Sequence, residues 1–520
     1  IIMTDKIVKN LNFGEDARIK IFKGITKLTK AVSSTLGAGG KCVILEDGQG
    51  KPVITKDGVT VANAITLLDP VENIGATLIK EAARKTVSEA GDGTTTATVL
   101  SHAILEEAYR SLKDESPRDI KQGINSAVEK VIEYLESISI PVEGKMLENV
   151  ASISANNDIE LGKIIAEAFS SVGDNGVVMM EESEDDETSV ELIEGTEYEK
   201  GLKNMHFVTN QANTTADLED PLVLLVDSEI ENIRKIQAIL EYAIKQKRSL
   251  LIIADVDQQV LSALAMNKLK GNLKVNVIDA PTYGVHKKQI LDDLALITGA
   301  TVVDENLGDD LDLISPDFLG TCTKSVTSQT NTIIQLNEMP IGVQELTLDI
   351  KKQHDAENNV TKKNKLERRL ARLSAKVAIV KVGANSEVEL KEKLDRVEDA
   401  ICATKAAIKE GIVPGGGIAL LDASNIVSKN NKSEAALLEA IKAPYRTILK
   451  NAEINEIYPS SEGEGLNVVT GKMVNMIEAG IVDPLQVTKS ALKNAASVAN
   501  TILSTDCVIN NLRVGDESNR

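Results

Sequence analysis

The sequence predicts a multidomain α/β protein in which two mainly helical ends flank a parallel α/β centre. Three observations carry this. Apolar, β-branched runs, LVLLVDS (222–228), SLLIIADVD (249–257) and LKVNVIDAP (273–281), alternate with the helical segments ENIRKIQAILEYAIKQ and QQVLSALAMNKLKG. Strands apolar on both faces, separated by helices, imply a parallel sheet with right-handed crossovers. Outside that centre, residues 15–36 and SALKNAASVANTIL repeat apolar and alanine residues at helical spacing. Composition is the third: 42% of the 520 residues are hydrophobic but 2% aromatic, with no Trp, so the cores must be packed from Ala, Val, Ile and Leu. A chain of this length holds two to four domains.

Taken in order, residues 15–36 form a helix with Ile21, Ile25, Leu28 and Val32 on one face and Gly37 as its stop. The turn TLGAGG (35–40) follows, then two short strands in KCVILED and KPVITKDG, joined through Gly48-Gln49-Gly50. Helices are expected over 71–90, 95–112 and 117–137, the last broken by Ser139-Ile140-Pro141. TVVDE (301–305) extends the parallel sheet, and residues 344–374, around KKNKLERRLARLSAK, read as a solvated pair of charged helices. After EGIVPGGGIALLDAS the helical pattern returns. This order permits an inserted central domain; composition alone does not say whether the two ends pack together.

A net charge of −20 repels phosphate backbones, and the few aromatic rings offer no stacking platform, so no nucleic-acid partner is expected. Cys42, Cys322, Cys402 and Cys507 form no CxxC pair, and the four histidines form no HExxH motif, which excludes a disulfide framework and a zinc site. No run of eighteen apolar residues suggests a membrane partner, and IIMTDKIVKN does not read as a signal peptide. The expectation is a cytoplasmic protein.

One stretch stands out: EAGDGTTTATVL (89–100). Gly91 and Gly93 let successive N–H groups turn toward one point, and the helix that starts there adds free N–H groups and its dipole. Three threonine hydroxyls can serve phosphate oxygens. Asp92 suits that place if it holds Mg²⁺, which takes one or two carboxylates beside phosphates and water. Read locally, an Asp or Thr helix cap after a glycine stop explains the stretch as well. Neither GxxxxGK[ST] nor a complete GxGxxG occurs, which disfavours a P-loop or Rossmann site. KDG (56–58) alone is a turn, Asp399 a mid-helix surface acid and Asp483 a turn former before Pro484.

Together the blocks LNFGEDAR, TLGAGG, ITKDGVTVA, EAGDGTTTATVL, ISANND, RVEDAICAT, EGIVPGGGIAL and GIVDPLQVTKSAL, in this order from Leu11 to Cys507, resemble a group I chaperonin of the GroEL type. The resemblance implies a mainly helical equatorial ATP-binding domain (3–137 and 412–520), a small intermediate hinge domain (138–193 and 380–411) and an apical α/β polypeptide-binding domain (194–379). It implies hinges at Pro141 and Gly411 and at Gly195 and Gly383. It also implies a homo-oligomeric ring, heptameric, single or double, with non-native polypeptide clients and a co-chaperonin lid.

Residue by residue, the resemblance makes Asp92 the Mg²⁺ ligand and Gly93, Thr94, Thr95 and Thr96 the phosphate cradle of an ATP site. Thr35, Leu36 and Gly37 supply a neighbouring loop, with Thr35 and Lys56 near K⁺. Asp57 matches an acid near the γ-phosphate, and Asp399 the acid that orients the attacking water. Gly416, Asn467, Val468, Ile481 and Asp483 match the nucleoside pocket, with Ile153 beside it. Leu202, Phe207, Leu240, Leu261 and Met266 match polypeptide-binding positions; the alternative for these is core packing against the sheet. His206 and Gln237 depart from the family pattern, and residues 451–461 match it poorly. An ATP-driven folding machine is therefore expected; a ring-forming scaffold with residual ATPase is the alternative.

Overall fold

The first and last strands of the structure meet. Lys9–Phe13 runs antiparallel to Cys507–Asn511, with Leu11 opposite Ile509. The two helical ends thus form one body. The structure, a computed structural model, describes residues 9–511 apart from 47–49, 143, 174–176, 184, 199, 212–213, 281–284, 357–361, 363–365, 367–368, 371–372 and 374–375. Gly48, Gln49 and much of the charged stretch 361–375 lie outside the described residues.

The chain divides into two units. One comprises residues up to 166, 182–188 and those from 382 onward; the other comprises 167–181 and 189–381. In the first, the helices Gly14–Ser33, Pro70–Ala90, Thr94–Ser111, Pro117–Ile138 and Leu485–Leu503 share an aliphatic core. Ile25, Leu28, Ile79, Leu100, Leu105, Leu135 and Leu492 are fully buried in it. The alanines Ala491, Ala495 and Ala499 let Leu485–Leu503 approach its neighbours closely. Pro117–Ile138 ends where Ile140 exchanges backbone hydrogen bonds with Ile412.

The second unit contains the parallel sheet read from the sequence, in the order Val302–Val303, Leu222–Val226, Leu250–Ile253, Val275–Ile278. It also contains a six-stranded sheet that the sequence reading missed. Its order is Val177–Glu182, Lys376–Val382, Ser189–Tyr198, Thr332–Leu336, Lys324–Thr327, Ala216–Glu219. Gly195 sits inside the Ser189–Tyr198 strand, paired with Gln335. Among the described residues no helix is long and apolar enough to cross a membrane.

Candidate functional site

The helix Pro70–Ala90 stops at Gly91 (φ 75°) and the helix Thr94–Ser111 starts after Gly93 (φ 96°). Both glycines occupy the left-handed region that side chains disfavour. Space forbids a side chain too: a Cβ on Gly91 would lie 2.5 Å from Cys402 Cβ, and one on Gly93 2.8 Å from Val487 Cγ1. Thr94–Ser111 has no side-chain cap. The Asp92 carboxylate instead accepts the adjacent Gly93 N–H. The cap reading of this stretch therefore does not hold, and the first N–H groups of the helix are left for something else.

Asp57 follows the strand Pro52–Thr55 and caps the helix Gly58–Ala64, accepting from Val59 N–H at 2.9 Å and Thr60 N–H at 2.6 Å. A Cβ on Gly58 would overlap Thr95 Oγ1, so this helix starts directly against the threonine cradle. Asp399 lies mid-way along the long helix Glu387–Glu410. Burial, then the charges of Asp92 and Asp57, hold its carboxyl well above the usual range. One turn earlier, burial and then Asp57 push Asp395 up to about 6. One turn later, Cys402 backs onto Gly91, and burial above all lifts its thiol to about 12, leaving it inert.

Asp483 comes from the strand Val482–Pro484, which pairs with Ile412–Pro414. Its carboxylate accepts the N–H groups of Gly416 and Gly417, yet burial and then the charge of Asp92 raise it to about 7. Asp92 itself is raised by burial and by Asp57.

Asp57, Asp399 and Asp483, from three distant segments, thus converge on Asp92. Among the described residues none of them is ion-paired with a lysine or arginine, and no three His, Cys, Asp or Glu form a ready-made metal-ligand set. A half-buried acid without a cation, beside open helix N–H groups, fits Mg²⁺ held by one carboxylate and completed by phosphate oxygens.

TLGAGG is a closed turn: Gly40 N–H bonds Gly37 O at 2.9 Å and Lys41 N–H bonds Ser34 O at 2.8 Å. Asn451 Nδ2 holds it from outside, donating to Ser33 O at 2.8 Å and Leu36 O at 2.9 Å. The Thr35 hydroxyl is spent on Val32 O, and Lys56 is half-buried beside Asp57. Asn467 Oδ1 accepts from Val469 and Thr470, closing the hairpin that follows Glu464–Asn467. Val468 and Ile481 pack around Met476, whose Cε would lie 3.1 Å from a Cβ on Gly416. Ile153, half-buried, is near the end of the helix Lys145–Ser154, which packs on Glu387–Glu410. The sequence reading missed Asp395 and Asn451. Asp395 is signalled by its i, i+4 spacing to Asp399; Asn451 has no local signal.

The TCP-1/cpn60 chaperonin family profile matches residues 28–513. The chain belongs to that family. Two solved structures of the chaperonin gp146 from the bacteriophage EL 2 (Pseudomonas aeruginosa), both obtained in the presence of ATP-BeFx, share its fold at 23% identity. Each alignment covers 97% of this chain and 99% of the other, with TM-scores of 0.75 for crystal form II and 0.66 for form I. Chaperonins are ATP-dependent chaperones that form rings and act on client polypeptides, and this protein is an ATP-dependent chaperone of that kind.

In the second unit of this chaperonin the five expected client residues separate. Phe207 and Leu261 are buried among Leu224, Ile252 and Leu264, so for them core packing replaces the expected exposed role. Their apolar side chains fill the space under the turn Met205–Phe207 and the helix Gln258–Leu269. Leu202 and Leu240 are half-buried against the same core. Met266 is 52% exposed, as are its neighbours Leu269 (57%) and Met205 (57%).

Proposed function

We propose that this chaperonin binds ATP with Mg²⁺ at the junction around Asp92 and hydrolyses it to drive the folding of non-native polypeptides. The convergence of Asp57, Asp92, Asp399 and Asp483 without a cationic partner carries the reading. In it Asp92 holds the metal, Gly93 to Thr96 receive the phosphates and Asp57 lies near the γ-phosphate. Thr35 and Lys56 border K⁺, and the loop at Leu36 and Gly37 covers the phosphates. Gly416, Asn467, Val468, Ile481, Asp483 and Ile153 surround the nucleoside. Bound metal neutralises charge on the transferring phosphoryl group. The chain's own part is to position: Asp399 orients a water for attack, and its long helix makes hydrolysis depend on where that helix lies.

The three-domain division given by the resemblance belongs to the same proposal, as do a heptameric ring, single or double, and a separate lid. Self-association is supported by two isolated two-stranded ribbons. Lys9–Phe13 with Cys507–Asn511 exposes Leu11, Phe13 and Ile509, and Val43–Glu46 with Pro52–Thr55 exposes Ile44 and Ile54. Unpaired apolar edges of this kind seek partner strands. Clients would contact Met266, with Leu202 and Leu240 contributing their exposed parts.

Asp399→Ala tests the mechanism. ATP binding should stay within about twofold while steady-state hydrolysis falls roughly 10²-fold or more. Normal turnover by that variant refutes the assignment.

A further inference from the structure

The helix Gly58–Ala64 has only seven residues, too few to hold itself together, yet the residue that caps it is Asp57. Its N-terminal end is fixed by the Asp57 cap and by the close approach of Gly58 to Thr95. The other end is fixed by a buried cation. Lys80, 9% exposed on the helix Pro70–Ala90, directs its ammonium to Ile65 O at 2.5 Å and reaches Asn63 O at 3.5 Å. Arg84 holds the Asn63 side chain at 2.8 Å.

No carboxylate pairs with Lys80 among the described residues, and burial, then Arg84, draw its pKa down. A buried ammonium without an acid is costly. Here its partners are backbone carbonyls at the C-terminal end of one short helix, where positive charge is favourable.

We infer that Lys80 is a positioning residue for ATP hydrolysis, clamping the far end of the helix that presents Asp57 to the phosphate site. This rests on Asp57 acting at the γ-phosphate. Losing the clamp frees the helix to shift against Thr95 by a fraction of its length, while Asp92 and the nucleoside pocket, on other elements, keep their places. The defect belongs to the chemical step and acts only through Asp57.

The test is single-turnover hydrolysis of labelled ATP by the full-length protein, with nucleotide Kd measured separately, for Lys80→Met, Asp57→Ala and the double variant. Lys80→Met should slow hydrolysis about 10- to 100-fold, the scale of a misplaced catalytic group, and change Kd by no more than about twofold. In the Asp57→Ala background it should cause no further loss, because the two act as one unit. A Lys80→Met rate within about twofold of the parent, a parallel loss of affinity, or a full additional loss in the double variant overturns the proposal. If Asp57→Ala alone hydrolyses normally, the assignment of Asp57 falls, an outcome distinct from a silent Lys80→Met. Should Lys80→Met not fold, Lys80→Gln, which keeps a donor for Ile65 O, is judged by the same criteria.

Discussion

Asp92 is the acid on which the proposed site turns, and burial and the neighbouring Asp57 both work against its charge. Asp399, Asp395 and Asp483 all ionise higher than an unfolded carboxyl near 3.8, two of them at about 6 and about 7. Raised carboxyls bind protons that the unfolded chain has lost, so their ionisation costs the apo fold stability as pH climbs from about 4 through 7. A bound cation reverses that cost. Mg²⁺–nucleotide should therefore raise Tm more at pH 7.5 than at pH 5.5, measured by calorimetry at saturating ligand; an equal gain at both would argue against Mg²⁺ at these acids. Gly91 allows a second prediction. Gly91→Ala meets both a left-handed backbone and Cys402, and should destabilise the protein by about 2–4 kcal/mol in denaturant unfolding. The sequence exposed Asp92 and its threonines as a motif. It left the cap alternative open, because only the direction of the Asp92 carboxylate decides between them. Asn451 was illegible, since its meaning lies in two carbonyls at the opposite end of the chain.

Among the elements, legibility followed the strength of the apolar pattern. The strands of the parallel sheet are buried on both faces and read as unbroken runs. The six-stranded sheet escaped notice because strands such as SVELIEGTEY and KSVT mix charge and hydroxyls with apolar residues and show half-exposed patterns. Spacing also failed to say which stripe of a helix faces outward. In Gln258–Leu269 the apolar residues Leu261, Leu264 and Met266 lie close in sequence, yet Leu261 and Leu264 are core and Met266 is surface. This separation is measurable. Phe207→Ala should cost about 3–5 kcal/mol. Met266→Ser should change stability by no more than about 0.5 kcal/mol while weakening capture of an unfolded client. If Met266→Ser left capture intact, the client surface would lie elsewhere.

At the level of the whole molecule, the sequence showed helical ends around an α/β centre but not that the ends join. Strand pairing between Lys9–Phe13 and Cys507–Asn511 has no local signature. The second unit owns its cores, built around Leu224 and Ile252 on one side of the parallel sheet and Val223 and Leu251 on the other. Residues 167–381 expressed alone should unfold cooperatively in urea, whereas a fragment ending at 166 should not, because the buried Leu492, Ala495 and Ile502 of its core would be missing. The joined ends also set a timetable during synthesis. The central unit is complete soon after residue 381 leaves the ribosome, but the opening helices must wait for the Leu485–Leu503 helix and the strand after it. At roughly 5–20 residues per second that wait is on the order of half a minute. For that interval the apolar faces of Ile25, Leu28 and Leu100 have no permanent cover, so a protein that folds others is itself, while being made, a candidate for the same assistance.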